Sequence, residues 1–269
     1  MAVRKEDLAY AFLDVFLNRV LEAKTVISQA LAKMRKPYVA CSWGKDSTVL
    51  LHLLLQFKPN ITVVFINQGH NCPMIKKYGV ACGEWPDTYR IRDQLVKQWN
   101  LNLIELRPPC VCRLQRKHGV PYVGYGDWQE IDRKIYQELI WDPIKELIKR
   151  EHFDGCFLAL REWESKTRHM MLRHHGPLFF AKRWGLLECN PLANWTGQDI
   201  WAYIAKHKLP YNTIYDKELG EWTRENIRNS PWMTTYQNIH KGELTWLKKF
   251  YPGYWNMFRQ EFPAVKTYA

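Results

Sequence analysis

The stretch ITVVFI, residues 61–66, is six apolar residues in a row, most of them β-branched or aromatic, with no polar alternation. A strand with one wet face alternates, so a run like this is buried on both faces, as in the middle of a parallel sheet with helices on either side. Parallel strands need crossover connections, and the flanking sequence supplies them. Apolar spacing at Leu8, Phe12, Val15, Phe16, Val20 and Leu21 predicts one long N-terminal helix over 6–34, stopped by Pro37. A strand at Tyr38–Cys41 leads through a polar loop into a helix ending near Gln56. After ITVVFI come an irregular stretch at 67–85, a helix at about 87–99, a strand at 101–106, a loop at 107–128, a helix at about 129–150 and a strand at 155–160. This alternation predicts an α/β fold with a doubly wound, mostly parallel, Rossmann-like sheet. Its ligands belong at the carboxyl ends of the strands. The expected organisation is an N-terminal helix at 1–36, a nucleotide-binding α/β domain at 37–215 and a helical, aromatic-rich C-terminal extension at 216–269.

The polar loop, CSWGKDS at 41–47, joins the first strand to a leucine-rich helix. Backbone N–H groups and a helix N-terminus meet there, which suits a phosphate. Gly44 lets the backbone approach an anion, Lys45 supplies a mobile charge, Ser42 and Ser47 offer hydroxyls, and Asp46 can cap free N–H groups or help hold Mg²⁺. The spacing is not that of a Walker A loop. An ordinary strand-to-helix turn capped by Asp and Ser would use the same residue types.

Four segments, in order, carry a family likeness. SWGKDS resembles the pyrophosphate loop SGGKDS of the adenine-nucleotide α-hydrolase (PP-loop ATP pyrophosphatase) superfamily, with Trp43 at the first glycine. GEWPDTYRIRDQL at 83–95, LREWESKTR at 160–168 and NPLANWTGQDIWAYIAKHKLPYN at 190–212 resemble segments of the phosphoadenosine phosphosulfate (PAPS) reductase family within it. The resemblance implies an adenine nucleotide as ligand, with Lys45, Asp46 and Ser47 in catalytic positions. It implies that Ser42, Trp43, Gly44, Asn67, Gly69, Arg161 and Arg168 bind the nucleotide. Each also has a structural reading: Asn67 and Gly69 start a loop, Arg161 and Arg168 make surface pairs with Glu164, and Thr196 with Asp199 makes a capping box.

Two departures bear on the chemistry. Assimilatory PAPS reductases use a cysteine in a C-terminal tail, whereas the last cysteine here is Cys189 and the sequence closes on QEFPAVKTYA. The loop also keeps Lys45, Asp46 and Ser47, as in the small subunit of ATP sulfurylase. The expected activity is therefore cleavage of ATP, with Mg²⁺, between the α- and β-phosphates, releasing pyrophosphate and adenylating an acceptor. The alternatives are a sulfonucleotide (PAPS or adenosine-phosphosulfate) reductase-like enzyme, or a nucleotide- or nucleic-acid-binding regulator without turnover.

A net charge of +12, with basic clusters at 113–119, 168–175 and 181–184, favours anionic partners: an adenine nucleotide and, through a basic face, nucleic acid. No apolar run reaches bilayer length and no leader is read at the start, so the expected location is cytoplasmic, with no membrane partner. Seven cysteines without a secreted pattern suit thiols or ligands. Cys72, Cys82, Cys110 and Cys112 come from two loops expected at one sheet edge, a set suited to Zn²⁺ or an iron–sulfur cluster. The aromatic helices of the extension are expected to pack on the domain or on a partner, a homo-oligomer or another protein.

Overall fold

The computed structural model describes residues 1–81, 83–119, 130–229 and 242–261. A six-stranded sheet lies at its centre, with strands β1 (Pro37–Ala40), β2 (Thr62–Ile66), β3 (Asn102–Leu106), β4 (Gly155–Phe157), β5 (Leu178–Ala181) and β6 (Leu186–Cys189) in the order β3-β2-β1-β4-β6-β5. β1 pairs in parallel with β2 and β4, and β4 in parallel with β6, while β5 closes the edge antiparallel to β6. The mostly parallel Rossmann-like sheet is as the sequence predicts, and Val63, Val64 and Phe65 of the ITVVFI run are buried. The β5–β6 hairpin is an addition. Its sequence, LFFAKRWGLLEC, has no sustained alternation, because only a short edge strand folds back on β6.

By contact the chain divides into two compact units: residues 1–65, 90–105 and 145–212, and residues 66–89, 106–144 and 213–269. The described part of the 216–269 extension is thus not a unit by itself; it folds with the segments that follow β2 and β3.

In the first unit the N-terminal helix is broken in two, α1 (Lys5–Tyr10) and α2 (Asp14–Leu31). The connecting turn is tied to helix α10 (Gly197–His207), where Lys206 Nζ donates to the Ala11 carbonyl at 3.1 Å and lies over the Phe12 and Phe16 rings. Tyr10 OH also donates to Asp199 at 3.0 Å, and Asp199 accepts from Arg19. Of the apolar residues whose spacing predicted the helix, Phe16 is buried, whereas Leu8, Phe12, Val15 and Leu21 are exposed. The Thr196 and Asp199 capping box forms, with Asp199 N donating to Thr196 Oγ1 at 3.3 Å and Thr196 N to Asp199 Oδ2 at 2.6 Å.

In the second unit the stretch 107–128 is not wholly a loop, since helix α6 (Val111–Lys117) lies within it. A short helix α4 (Met74–Tyr78) interrupts the irregular 67–85 segment. The GEWPDTYR segment opens helix α5 (Pro86–Gln98), and its side chains anchor the C-terminal region. Trp85 stacks on Tyr251 with centroids 4.4 Å apart, its indole N–H donates to the Arg228 carbonyl, and Thr88 Oγ1 donates to the Asn229 carbonyl. Asp87, 1 % exposed at its side chain, accepts from Thr213 Oγ1, Lys217 Nζ and Tyr251 OH at 2.5–2.7 Å. Burial pushes its carboxyl up, and those three donors hold it below the ordinary aspartate value.

Candidate functional site

β1 runs into the loop at Ser42–Gly44, and helix α3 (Lys45–Leu55) starts directly behind it. The N-cap residue is Gly44, extended at φ −78° and ψ 165°, so no side chain at the cap occupies the helix N-terminus. Ser42 is exposed and faces Ser47, their hydroxyls 3.3 Å apart; Ser47 Oγ donates to the Gly44 carbonyl at 3.1 Å. Trp43 takes a left-handed backbone at φ 61°. An L-residue there costs about 1–2 kcal/mol, offset by an indole that is fully buried edge-on to Phe65. What this position offers a ligand is backbone; its ring belongs to the core.

Lys45 Nζ lies 3.0 Å from Asp46 Oδ2, and Arg161 Nε lies 2.6 Å from Asp46 Oδ1. Burial raises the Asp46 carboxyl, but Lys45 and Arg161 outweigh it and keep it below the usual aspartate range. Glu164 continues the sequence of charges: its carboxylate accepts from the Arg161 backbone N–H at 3.1 Å, approaches the Arg161 guanidinium at 3.9 Å and binds Arg168. Lys45, Asp46, Arg161, Glu164 and Arg168 thus alternate in sign from a buried lysine to a half-exposed arginine at the start of helix α9 (Lys166–His175). Ser165 caps α9, accepting from the Arg168 N–H at 3.2 Å. Lys45 and Arg161 are 5 % and 6 % exposed, so an anion that replaced Asp46 as their partner would be held by charge-assisted bonds in a poorly hydrated place. The donors fit a polyphosphate. Asp46 does not fit as a free Mg²⁺ ligand, because both its oxygens face cations.

In the second unit Asn67 follows β2 and is 5 % exposed. Its side-chain carbonyl accepts from the Gly69 N–H at 3.1 Å and the Tyr89 hydroxyl at 2.8 Å, so Asn67 and Gly69 form a fixed turn. Gly83 sits against this turn at φ 101°, where a Cβ would come within 2.6 Å of the Gln68 backbone. Nothing local in the sequence marks Tyr89 as a partner of Asn67, since the pair is 22 residues apart. Cys72, Cys110 and Cys112 come together with their sulfurs all within 4.8 Å of one another, and Cys82 lies outside the described residues.

The basic clusters differ. Around 113–119, Arg116 pairs with Glu261 while Lys117 and His118 pair with Glu138, so their charge is spent locally. On α9 the pairs to Glu162 are longer, 3.6 Å from His169 and 3.9 Å from Arg173, and Lys166, Arg173, His174, Lys182 and Arg183 are exposed. Trp163 and Met170, 64 % and 72 % exposed, stand among them.

The phosphoadenosine phosphosulfate reductase domain family matches residues 36–239, more than two thirds of the chain. The chain belongs to this family. A PAPS reductase of Xylella fastidiosa is 26 % identical over 182 residues, covering 67 % of this chain and 68 % of the relative. The crystal structure of a PAPS reductase from Candida auris, a phosphate complex, superposes with a TM-score of 0.54 at 19 % identity over 82 % of this chain and 97 % of that one. The FMN adenylyltransferase of Candida glabrata, with FAD and inorganic pyrophosphate, superposes at 0.52 and 13 % identity over 80 % of this chain and 66 % of that one. These likenesses fix the fold, a mostly parallel Rossmann-like sheet. Among the described residues no helix is long and apolar enough to cross a membrane.

Proposed function

We propose that this member of the PAPS reductase family binds ATP, with Mg²⁺ carried on its phosphates, and transfers AMP to an acceptor with release of pyrophosphate. The observation that carries this reading is the loop at 42–47, a helix N-terminus with a glycine cap beside a buried lysine and a buried arginine whose shared counter-ion is Asp46. An acceptor oxygen attacks the α-phosphorus, the bond to the bridging oxygen breaks, and the charge that develops on the departing pyrophosphate meets Lys45, Arg161 and the α3 N–H groups. Ser42 and Ser47 orient it, and Arg168 binds the outer phosphate or the acceptor. We assign Asn67 and Gly69, with Gly44 and the Trp43 backbone, to the nucleotide as well.

A cysteine-based reduction finds less support. Every cysteine among the described residues is buried, and burial pushes the Cys41 thiol up to about 12 and the Cys189 thiol higher still. A nucleophilic thiolate needs the opposite environment. The reductase reading keeps the family match itself and the names of the curated relatives. For the acceptor we propose nucleic acid, because α9 presents Lys166 and Arg173 around the exposed Trp163 and Met170, a charged surface with a stacking ring.

The test is ATP labelled separately at the α- and γ-phosphates, incubated with Mg²⁺ and with RNA, DNA or sulfate. Pyrophosphate and a labelled AMP adduct, both lost in Lys45→Ala, support the reading. Intact ATP with every acceptor, alongside sulfite release from PAPS, overturns it in favour of the reductase.

A further inference from the structure

Cys72, Cys110 and Cys112 have no part in the adenylation proposed above. Cys72 lies in the turn that leaves β2, its N–H donating to the Gly69 carbonyl at 3.3 Å; Cys110 is the N-cap of α6, and Cys112 lies in the first turn of that helix. All three are buried, at 1–3 % exposure. Backbone bonding brings the two segments together, with Val111 N donating to the Gln68 carbonyl at 3.3 Å.

The spacing of the sulfurs is informative. Cys72 Sγ is 3.7 Å and Cys110 Sγ 3.2 Å from Cys112 Sγ. A disulfide needs about 2.05 Å. Thiolates bound at about 2.3 Å to one tetrahedral ion lie roughly 3.8 Å apart. In an iron–sulfur cubane each cysteine holds a different iron, so its ligand sulfurs stand farther apart than those around a single ion. The separations here therefore select one ion over a cluster.

Chemistry narrows the ion. Soft thiolates in tetrahedral array favour Zn²⁺, while Mg²⁺ and Ca²⁺ take oxygen donors. The remaining cysteines of described placement are differently set: Cys156 and Cys189 lie in β4 and β6, and Cys41 directly follows β1, whereas the triad joins the turn after β2 to the start of α6. We infer that Cys72, Cys110 and Cys112 hold one structural Zn²⁺ that ties the turn after β2 to the start of α6. A fourth donor beyond these three completes the tetrahedron. The ion would cross-link these two segments and add its binding free energy to that of folding.

The full chain, expressed in zinc-supplemented medium and purified under reductant without oxygen, is analysed for zinc, iron and acid-labile sulfide. The expected result is about one zinc per chain, falling at least tenfold in Cys72→Ser and Cys112→Ser and kept in Cys156→Ala. Exchange with Co²⁺ should give thiolate-to-cobalt charge-transfer absorption in the parent chain and not in the two serine variants. Where those variants fail to fold, the parent chain is treated with a chelator, and a fall in Tm reversed by added Zn²⁺ supports the site. A parent chain that binds neither zinc nor cobalt through thiolate, or that contains iron and sulfide in comparable amounts, overturns it.

Discussion

Asp46 and Asp87 are each the second residue of a helix, Asp46 in the first unit and Asp87 in the second, and both carboxyls are held below the ordinary aspartate value against the pull of burial. Their partners differ. Asp87 is 1 % exposed and accepts from two hydroxyls and one lysine, groups that tie the C-terminal region to α5. Asp46 is 18 % exposed, and its side-chain partners are the cations Lys45 and Arg161. A phosphate that reaches the partly exposed Asp46 can take over its two cations, whereas the 1 % exposed Asp87 carboxylate is closed to an incoming ligand. The same residue type at the same helical position thus serves architecture in one unit and, on our reading, stands in for a ligand in the other.

The comparison breaks most directly at Asp87. Asp87→Ala removes the acceptor shared by Thr213, Lys217 and Tyr251 and should cost about 3–5 kcal/mol of unfolding free energy, read by urea denaturation; a loss under about 1 kcal/mol would reduce the hub to a surface pair. Lys45→Ala should lower pyrophosphate formation by about 10²–10³-fold with a much smaller change in Tm, since Asp46 keeps Arg161. A matching loss of stability would make Asp46 another architectural hub and sink the contrast.

A pH titration sharpens the contrast further. Burial, then His207 and Lys24, push His52 down to about 4, its ring 2.9 Å from the Tyr203 hydroxyl. The unfolded chain takes up this proton near the ordinary value of 6.5 and the folded chain only near 4, so stability falls as pH drops through that window and is unaffected above it. Both aspartates titrate lower still, so the slope between 6.5 and 4 should flatten in His52→Gln and stay in Asp87→Asn. An unchanged slope in His52→Gln would assign it elsewhere. The smallest effect is expected from Arg168→Gln: the pair to Glu164 is half-exposed and worth under about 1 kcal/mol. Stability should hold while ATP affinity weakens severalfold, and a variant that binds ATP unchanged removes Arg168 from the site.

How much of this was legible differs from element to element. ITVVFI announced a parallel sheet because a strand apolar on both faces has nowhere else to go. The loop between β1 and α3 was legible because its residue types and order are local, and three of the four cysteines read together do meet because two loops leave adjacent strands at the same end. The break at Ala11 was not legible, since it depends on Lys206, almost two hundred residues on. Trp43 reads as part of a binding loop, but its ring is in the core, which only Phe65 reveals. GEWPDTYR reads as a helix start and is one, yet Trp85, Asp87 and Thr88 are chiefly the anchor of the C-terminal region.

The sequence by itself determined the parallel sheet, the helix behind β1 and the residues that can meet an anion, because each follows from periodicity, turn chemistry and charge within a dozen residues. Only the tertiary structure decided which partner each charge takes. Asp46 faces Arg161 and Asp87 faces Tyr251 across more than a hundred residues of chain, and pairing at that distance is set by how strands and helices close on one another, which no local pattern encodes.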